Sequence, residues 1–284
     1  MALQIAVLST SRIVAEVMRE IGNWPEVEVT AIVCRPQSAE KAHAWAAEYG
    51  VPAVYTDEAA AYAAGGFDAV YIGTANHLHY AAAKRALQAG YHVLLEKPMS
   101  NSETECRAIA AAAEEAQRVL SVCHVLRYTP FYRTIKQLID DGQVGEVASL
   151  SQVENVGYWH HAHSFVRGNW RCSEQTSPMI LQKSCHDMDI LLWLSGQRCT
   201  QVSSFGSLHH FDAAHAPQDA PLRCTDGCPH SVVCPYDAGK IYLTDNVGWP
   251  TAMLTTDLSR EGRLKALREG PYGRCVYHCD NDVV

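Results

Sequence analysis

The sequence predicts an α/β protein whose first half is a doubly wound parallel sheet. Three observations lead there. Short apolar, β-branched runs alternate with helical apolar spacing from residue 3 to about residue 124. Turn and capping residues fall at the junctions. Strands alternate with single helices, which forces parallel pairing and right-handed crossovers and so covers both faces of the sheet.

The elements follow in order. Leu3–Leu8 reads as a buried strand, and Ile13, Val17 and Ile21 then recur at helical spacing until Gly22-Asn23 stops the helix. Val27–Val33 is a second strand, after which Ser38 is placed to cap a helix and Gly50 to end it. Residues 51–55 form a short third strand, Ala69–Ile72 a fourth, and a helix runs from about 77 to 90. His92–Leu95 is the fifth strand, Ser102 and Glu105 make a capping box for the next helix, and 120–124 is the sixth strand. The alternation ends at Val125, dividing the chain into a first domain, 1–125, and a second, 126–284. In the second, a helix over 130–141 acts as an arm and 148–156 starts a sheet. Residues 208–225, rich in His, Ala, Pro and Asp, form an irregular insertion.

Composition narrows the partners. Of 284 residues, 48% are hydrophobic and 19% charged, the balance of a globular protein. No apolar run reaches the roughly 18 residues of a membrane span. The start, Met1-Ala2-Leu3-Gln4, lacks a basic region followed by an apolar stretch, so no secretory signal is expected and the cytoplasm is the expected location. A net charge of −8 opposes nucleic acid and anionic membrane as partners. Eleven cysteines in such a chain read as reduced thiols rather than a disulfide framework.

In open parallel sheets ligands bind at the carboxyl ends of the strands, near the switch in strand order. The loops 9–12, 34–35, 73–77 and 96–98 therefore line one crevice. A dinucleotide fingerprint would place glycines in the first of them, for a tight turn and close approach to the pyrophosphate. Here Ser9, Ser11 and Val14 hold those three places. Serine hydroxyls donate to phosphate, the helix start offers free N–H groups, and Arg12 adds positive charge; a structural turn with no ligand is the equal alternative. After the second strand stands Cys34-Arg35 in place of an acid that would bond a ribose hydroxyl, which favours NADP over NAD unless Arg35 is a plain loop charge.

The stretch from His79 to Pro98, with its Ala-rich helix, Ala89-Gly90-Tyr91-His92-Val93 and then Glu96-Lys97-Pro98, resembles the glucose–fructose oxidoreductase, inositol dehydrogenase and MocA family. Arg127-Tyr128-x-Pro130, Gly142-x-x-Gly145 and His186-Asp187-x-Asp189-Ile190-Leu191 extend the resemblance over essentially the whole chain. It implies a nicotinamide-binding Rossmann domain, 1–125, and a substrate domain, 126–284, with an open, mainly antiparallel sheet. It also implies NADP or NAD as cofactor and hydride transfer to or from a sugar, inositol or related polyol. By the same resemblance, Lys97 sits beside substrate and nicotinamide, Glu96 near the nicotinamide ribose, and His186 serves the transferred proton. Relatives of the inositol dehydrogenase type carry Asp four residues before this histidine; here Gln182 and Lys183 occupy that neighbourhood, which points to a different substrate or role.

The chemistry agrees with those residue types. Taking a hydride from a carbinol carbon requires removal of its hydroxyl proton, which suits histidine, and a lysine nearby steadies negative charge on the oxygen. Lys97, His186 and Lys183 are the candidate catalytic residues. Ser9, Thr10, Ser11, Arg12, Ile13, Arg35, Thr74, Asn76, His79, Glu96 and Lys97 are the candidate cofactor contacts. His186 is expected at the start of a helix over 188–194, with Asp187 and Asp189 as acids near its N-terminus. The histidines of 158–165 and His209, His210 and His215 read as solvated or structural. No metal ligand is assigned: Cys224-x₃-Cys228-x₅-Cys234 reads as structural thiols, with zinc the alternative and Cys275, Cys279 or His230 as its fourth ligand.

Two other activities fit the same fold: a nucleotide-using lyase or glycosidase with no net redox change, and a non-catalytic dinucleotide sensor. An open second sheet also predicts a homo-oligomer. Residues 282–284 look like a strand entering that sheet, so further strands are expected beyond them.

Overall fold

The computed structural model describes residues 2–282 and divides into two compact units, Met1–Val125 and Leu126–Val284. The first holds β1 (Leu3–Leu8), α1 (Arg12–Ile21), β2 (Val27–Val33), α2 (Ala39–Tyr49), β3 (Ala53–Tyr55) and α3 (Glu58–Ala64). It continues with β4 (Ala69–Ile72), α4 (His79–Gln88), β5 (His92–Leu95), α5 (Glu103–Ala116) and β6 (Leu120–Val122). All strands pair in parallel, in the order β3-β2-β1-β4-β5-β6, so the order reverses between β1 and β4.

Period-two burial explains the two layers. Ala6 and Leu8 of β1 join Val70, Ile72, Val93 and Leu95 on one face, covered by Ala82, Ala83, Ala86 and Leu87 of α4 and Ile109 of α5. Ile5 and Val7 join Ile32 and Tyr71 on the other, against Val14 and Met18 of α1 and Ala42 of α2. The alanine-rich helices bring their backbones close to the sheet because they carry little side-chain bulk there.

Local signals behave unevenly. Ser102 caps α5 by accepting from Glu105 N–H, as its position predicts, but the Glu105 carboxylate is taken up by Ser100 Oγ. Ser38 makes no side-chain cap, because a 3₁₀ turn, Pro36–Ser38, runs straight into α2. Gly50 ends α2 in the left-handed conformation, φ 70°. α3, capped by Asp57, is absent from the sequence reading, since a helix built on alanine shows little apolar periodicity.

The second unit contains α6 (Pro130–Asp140), α7 (Tyr158–His161), α8 (Met179–Ser195), α9 (Ala238–Tyr242) and α10 (Arg260–Glu269). The expected open antiparallel sheet is corrected here. Among the described residues of this unit there is no strand, only an isolated antiparallel bridge, Arg223↔Arg274. Residues 148–156 have no regular structure and no strand pairing, with Leu150 40% and Val153 75% exposed. A strand needs a neighbour to satisfy its N–H and C=O groups, and the described residues offer that segment none. Of the strand expected at 282–284, Val283 and Val284 lie outside the described residues. Asp282 instead donates its N–H to Arg171 O (3.0 Å) and accepts from Ser173. The insertion at 208–225 is irregular apart from one 3₁₀ turn, Ala213–His215.

Candidate active site

Hydrogen bonds carry the sheet one residue past the strand ends and align the loops of the first unit. Ser9 N–H donates to Val33 O (2.8 Å), Gly73 N–H to Leu8 O (3.3 Å), Glu96 N–H to Ile72 O (3.0 Å) and Cys34 N–H to Tyr55 O (2.9 Å). Ser9, Cys34, Gly73 and Glu96 thus stand along one edge, at the carboxyl ends of β1, β2, β4 and β5.

The first turn works without the usual glycines by moving their tasks. Ser9 takes φ 109°, a region that favours glycine, and its Oγ accepts from Ser11 N–H (3.0 Å). Ser11 caps α1 and donates its hydroxyl to Gly73 O (2.7 Å). That corrects the expectation of a free serine donor at this place: the Ser11 hydroxyl proton is spent on tying the first loop to the fourth. Val14, where a third glycine would stand, is fully buried, and the glycine that makes room for it is Gly73. A Cβ on Gly73 would lie 2.5 Å from Val14 Cγ2. Thr10 O accepts from Lys41 Nζ (2.8 Å), and Arg12 pairs with Glu16 on the surface (2.8 Å). Arg35 is exposed just past β2 and makes no ion pair among the described residues.

The loops after β4 and β5 are joined through His79. Its ring is fully buried, with Nδ1 2.8 Å from Pro98 O and Nε2 3.1 Å from Thr74 O. A side chain so enclosed cannot touch a cofactor, so His79 is corrected from contact to positioning residue. Burial pushes its pKa below the ordinary histidine value, against the opposing pull of the two carbonyls. Glu96 Oε1 accepts from Tyr71 OH (2.9 Å) and Oε2 from Lys97 N–H (3.3 Å). Tyr71, reached from inside β4, is a support that sequence reading missed; burial and then the Glu96 charge raise its pKa. The same causes push the neighbouring Cys123 thiol up to about 12. Thr74 Oγ1 is buried with no partner, an unspent polar group beside Asn76 in the β4 loop. An orphaned hydroxyl, a helix N-terminus and Glu96 along one sheet edge fit a dinucleotide.

In the second unit His186 lies two turns inside α8, since that helix begins at Met179. The expected helix start at 188 is thereby corrected, and Asp187 and Asp189 are not helix-start acids. Asp189 holds Arg127 by a two-pronged ion pair, 2.5 and 2.7 Å. Asp187 is buried and accepts from Gln152 Nε2. Lys183, one turn before His186 on the same face, pairs with Glu154 (3.3 Å). His160 is near enough to feel that lysine: burial first, then the Lys183 and His161 charges, hold its pKa down. The histidines of 158–165 are helical and packed rather than solvated. His163 stacks on Tyr272 at 4.7 Å and meets Tyr242 OH at 2.9 Å. His160 and its link to Lys183 had no signal in local spacing, because 23 residues separate them.

Two family models match the chain. One, described as an oxidoreductase family with an NAD-binding Rossmann fold, matches residues 3–124, and the GFO/IDH/MocA C-terminal domain matches residues 132–242. Among curated proteins, inositol 2-dehydrogenase of Streptomyces avermitilis is 31% identical over 218 residues, which are 76% of this chain and 59% of that protein. The 1,5-anhydro-D-fructose reductase of Ensifer adhaerens is 32% identical over 54% of this chain and 45% of its own length. The chain spans about half the length of these curated relatives. Among solved structures, scyllo-inositol dehydrogenase from Lactobacillus casei with bound NAD(H) and scyllo-inositol superposes with a TM-score of 0.58. It is 22% identical and the match covers 69% of this chain and 57% of that one, a likeness of fold.

Proposed function

Because the chain belongs to the GFO/IDH/MocA oxidoreductase family, we propose that it transfers a hydride between NADP or NAD and a sugar, inositol or related polyol. The observation that carries this is the edge formed by Ser9, Gly73, Thr74 and Glu96 at the reversal of strand order, with Lys97 next in chain. In this reading residues 9–13 would hold the pyrophosphate, with Thr10, Arg12 and Ile13 offering backbone or charge, and the nicotinamide would supply the hydride acceptor or donor. Lys97 holds the substrate oxygen, His186 takes or gives the hydroxyl proton, and Lys183 with Glu154 meets the polar substrate. Glu96, braced by Tyr71, orients the nicotinamide ribose.

A panel of sugars and polyols with each nucleotide, read by absorbance of the reduced nicotinamide, tests the reading. No nucleotide binding heat from folded protein, or substrate turnover without net change in nicotinamide, would count against it. NADP is expected to bind more tightly than NAD, through Arg35 on the 2′-phosphate. Arg35→Ala should shrink that preference in calorimetric titrations; an unchanged ratio removes Arg35 from the site.

A homo-oligomer in the cytoplasm completes the proposal. Val153, Val202 and Phe205 of the second unit are 75%, 82% and 96% exposed, the kind of apolar surface a second copy would cover. Sedimentation showing only single chains would remove that part. Among the described residues no helix is long and apolar enough to cross a membrane, and all eleven cysteines are unbridged.

A further inference from the structure

The second unit gathers four of the chain's cysteines at one place. Cys224, Cys228, Cys234 and Cys275 line a single small cavity together with Arg167 and Asp237. The backbone brings the first and last together: Cys224 N–H donates to Gly273 O (2.9 Å) and Cys275 N–H to Leu222 O (2.8 Å), around the bridge of Arg223 and Arg274. Turns close the loop between the others, with Ser231 N–H on Cys228 O and Cys234 N–H on His230 O. Cys279 is not part of the lining; its Sγ lies 3.2 Å from Cys275 O. His230 does line the cavity, but its Nε2 lies 2.6 Å from Gln218 O.

A second observation concerns charge. Arg167 is fully buried, and it makes no ion pair among the described residues. Its Nε donates to Arg274 O (2.7 Å), and its Nη2 to Tyr236 O (2.7 Å) and to Cys224 Sγ (3.5 Å), while Nη1 is buried with no partner. A buried guanidinium left uncompensated is costly, and buried charges are as a rule paired or tied to metal sites. The cation faces sulfur where a carboxylate pair would be expected. Four thiolates around a divalent ion carry a net double negative charge, which would compensate Arg167 and turn its N–H···S contact into an outer-shell bond to a ligand.

We propose that Cys224, Cys228, Cys234 and Cys275 bind one zinc ion through four thiolates. The cavity is small and has room for a single ion or a water. Among the described residues no three His, Cys, Asp or Glu side chains already meet at a point, so binding turns the cysteine side chains inward. Four Zn–S bonds form, and the four thiol protons leave to solvent. The ion cross-links a loop poor in regular structure to the segment 271–279, which the sequence places about 40 residues downstream.

The test is metal analysis of the full chain, freed of any histidine tag. About one zinc per chain is expected, lost in Cys228→Ser and in Cys275→Ser and kept in Cys279→Ser. Should the serine variants fail to fold, cobalt exchange into the unaltered protein decides. Tetrahedral d–d bands with thiolate-to-cobalt charge transfer support the site. Folded, reduced protein with no zinc and no cobalt spectrum overturns it; iron with acid-labile sulfide overturns the single-ion assignment; zinc retained in Cys275→Ser overturns the ligand set.

Discussion

Replacing His186 by alanine is expected to lower turnover by about 10²–10⁴-fold, the usual contribution of a positioned acid–base group. The side chain is half-buried and projects from the interior of a 17-residue helix, so its position does not depend on a mobile loop. Lys97→Ala should also slow the hydride step while leaving nucleotide affinity largely intact, since the proposed task of Lys97 is on the substrate oxygen. A primary isotope effect with deuterated substrate distinguishes a slowed hydride step from slowed product release. Full activity in either single variant refutes the assignment. Lys183, 3.3 Å from Glu154 and one turn from His186, is then the next residue to replace.

Gly73→Ala is expected to destabilise the first unit by about 1–3 kcal/mol, the range for forcing an extra methyl into a packed interior. The new Cβ would stand 2.5 Å from Val14 Cγ2 and 3.4 Å from Ile13 Cγ2. Val14 is fully buried in the first turn of α1 and cannot swing into solvent, so the helix start must shift. The same shift would stretch the Ser11 Oγ to Gly73 O bond and misplace the N–H groups proposed to meet the pyrophosphate. Both the denaturation midpoint and the nucleotide Kd should therefore worsen together. Val14→Ala in the Gly73→Ala background should recover part of the loss, because the two positions share one volume. Unchanged stability in Gly73→Ala, or no coupling with Val14, would mean that the turn has slack the structure does not show.

These outcomes depend on features that differ in how far local sequence reveals them. The strands of the first unit were legible because they are short, mainly apolar runs, and residues of both faces are buried in β1, β2 and β4, which is itself a local pattern. The order of loops along the carboxyl edge followed from parallel connection alone. The exchange of roles between Val14 and Gly73 was not legible, since it joins positions 59 residues apart through a methyl-sized gap. Nor was His79 legible as a brace, because a lone histidine before an alanine-rich helix reads alike whether it meets a ligand or two carbonyls. The start of α8 was hidden as well: Gln182, Lys183 and Ser184 interrupt its apolar spacing, while residues 188–194 keep it.

The sequence by itself determined the alternating first unit, its parallel pairing, the loops that gather at its carboxyl edge and the family to which the chain belongs. Periodic burial and chain connectivity are properties of neighbours along the chain. Tertiary structure alone decided which polar groups remain available. Ser11 spends its hydroxyl on Gly73, Glu96 is braced by Tyr71, and Arg167 is buried facing Cys224 rather than a carboxylate. Those pairings span between 25 and 62 residues of chain. Such distances are closed by packing of whole elements, and the partner a buried polar group finds is set by what packing leaves within hydrogen-bond reach.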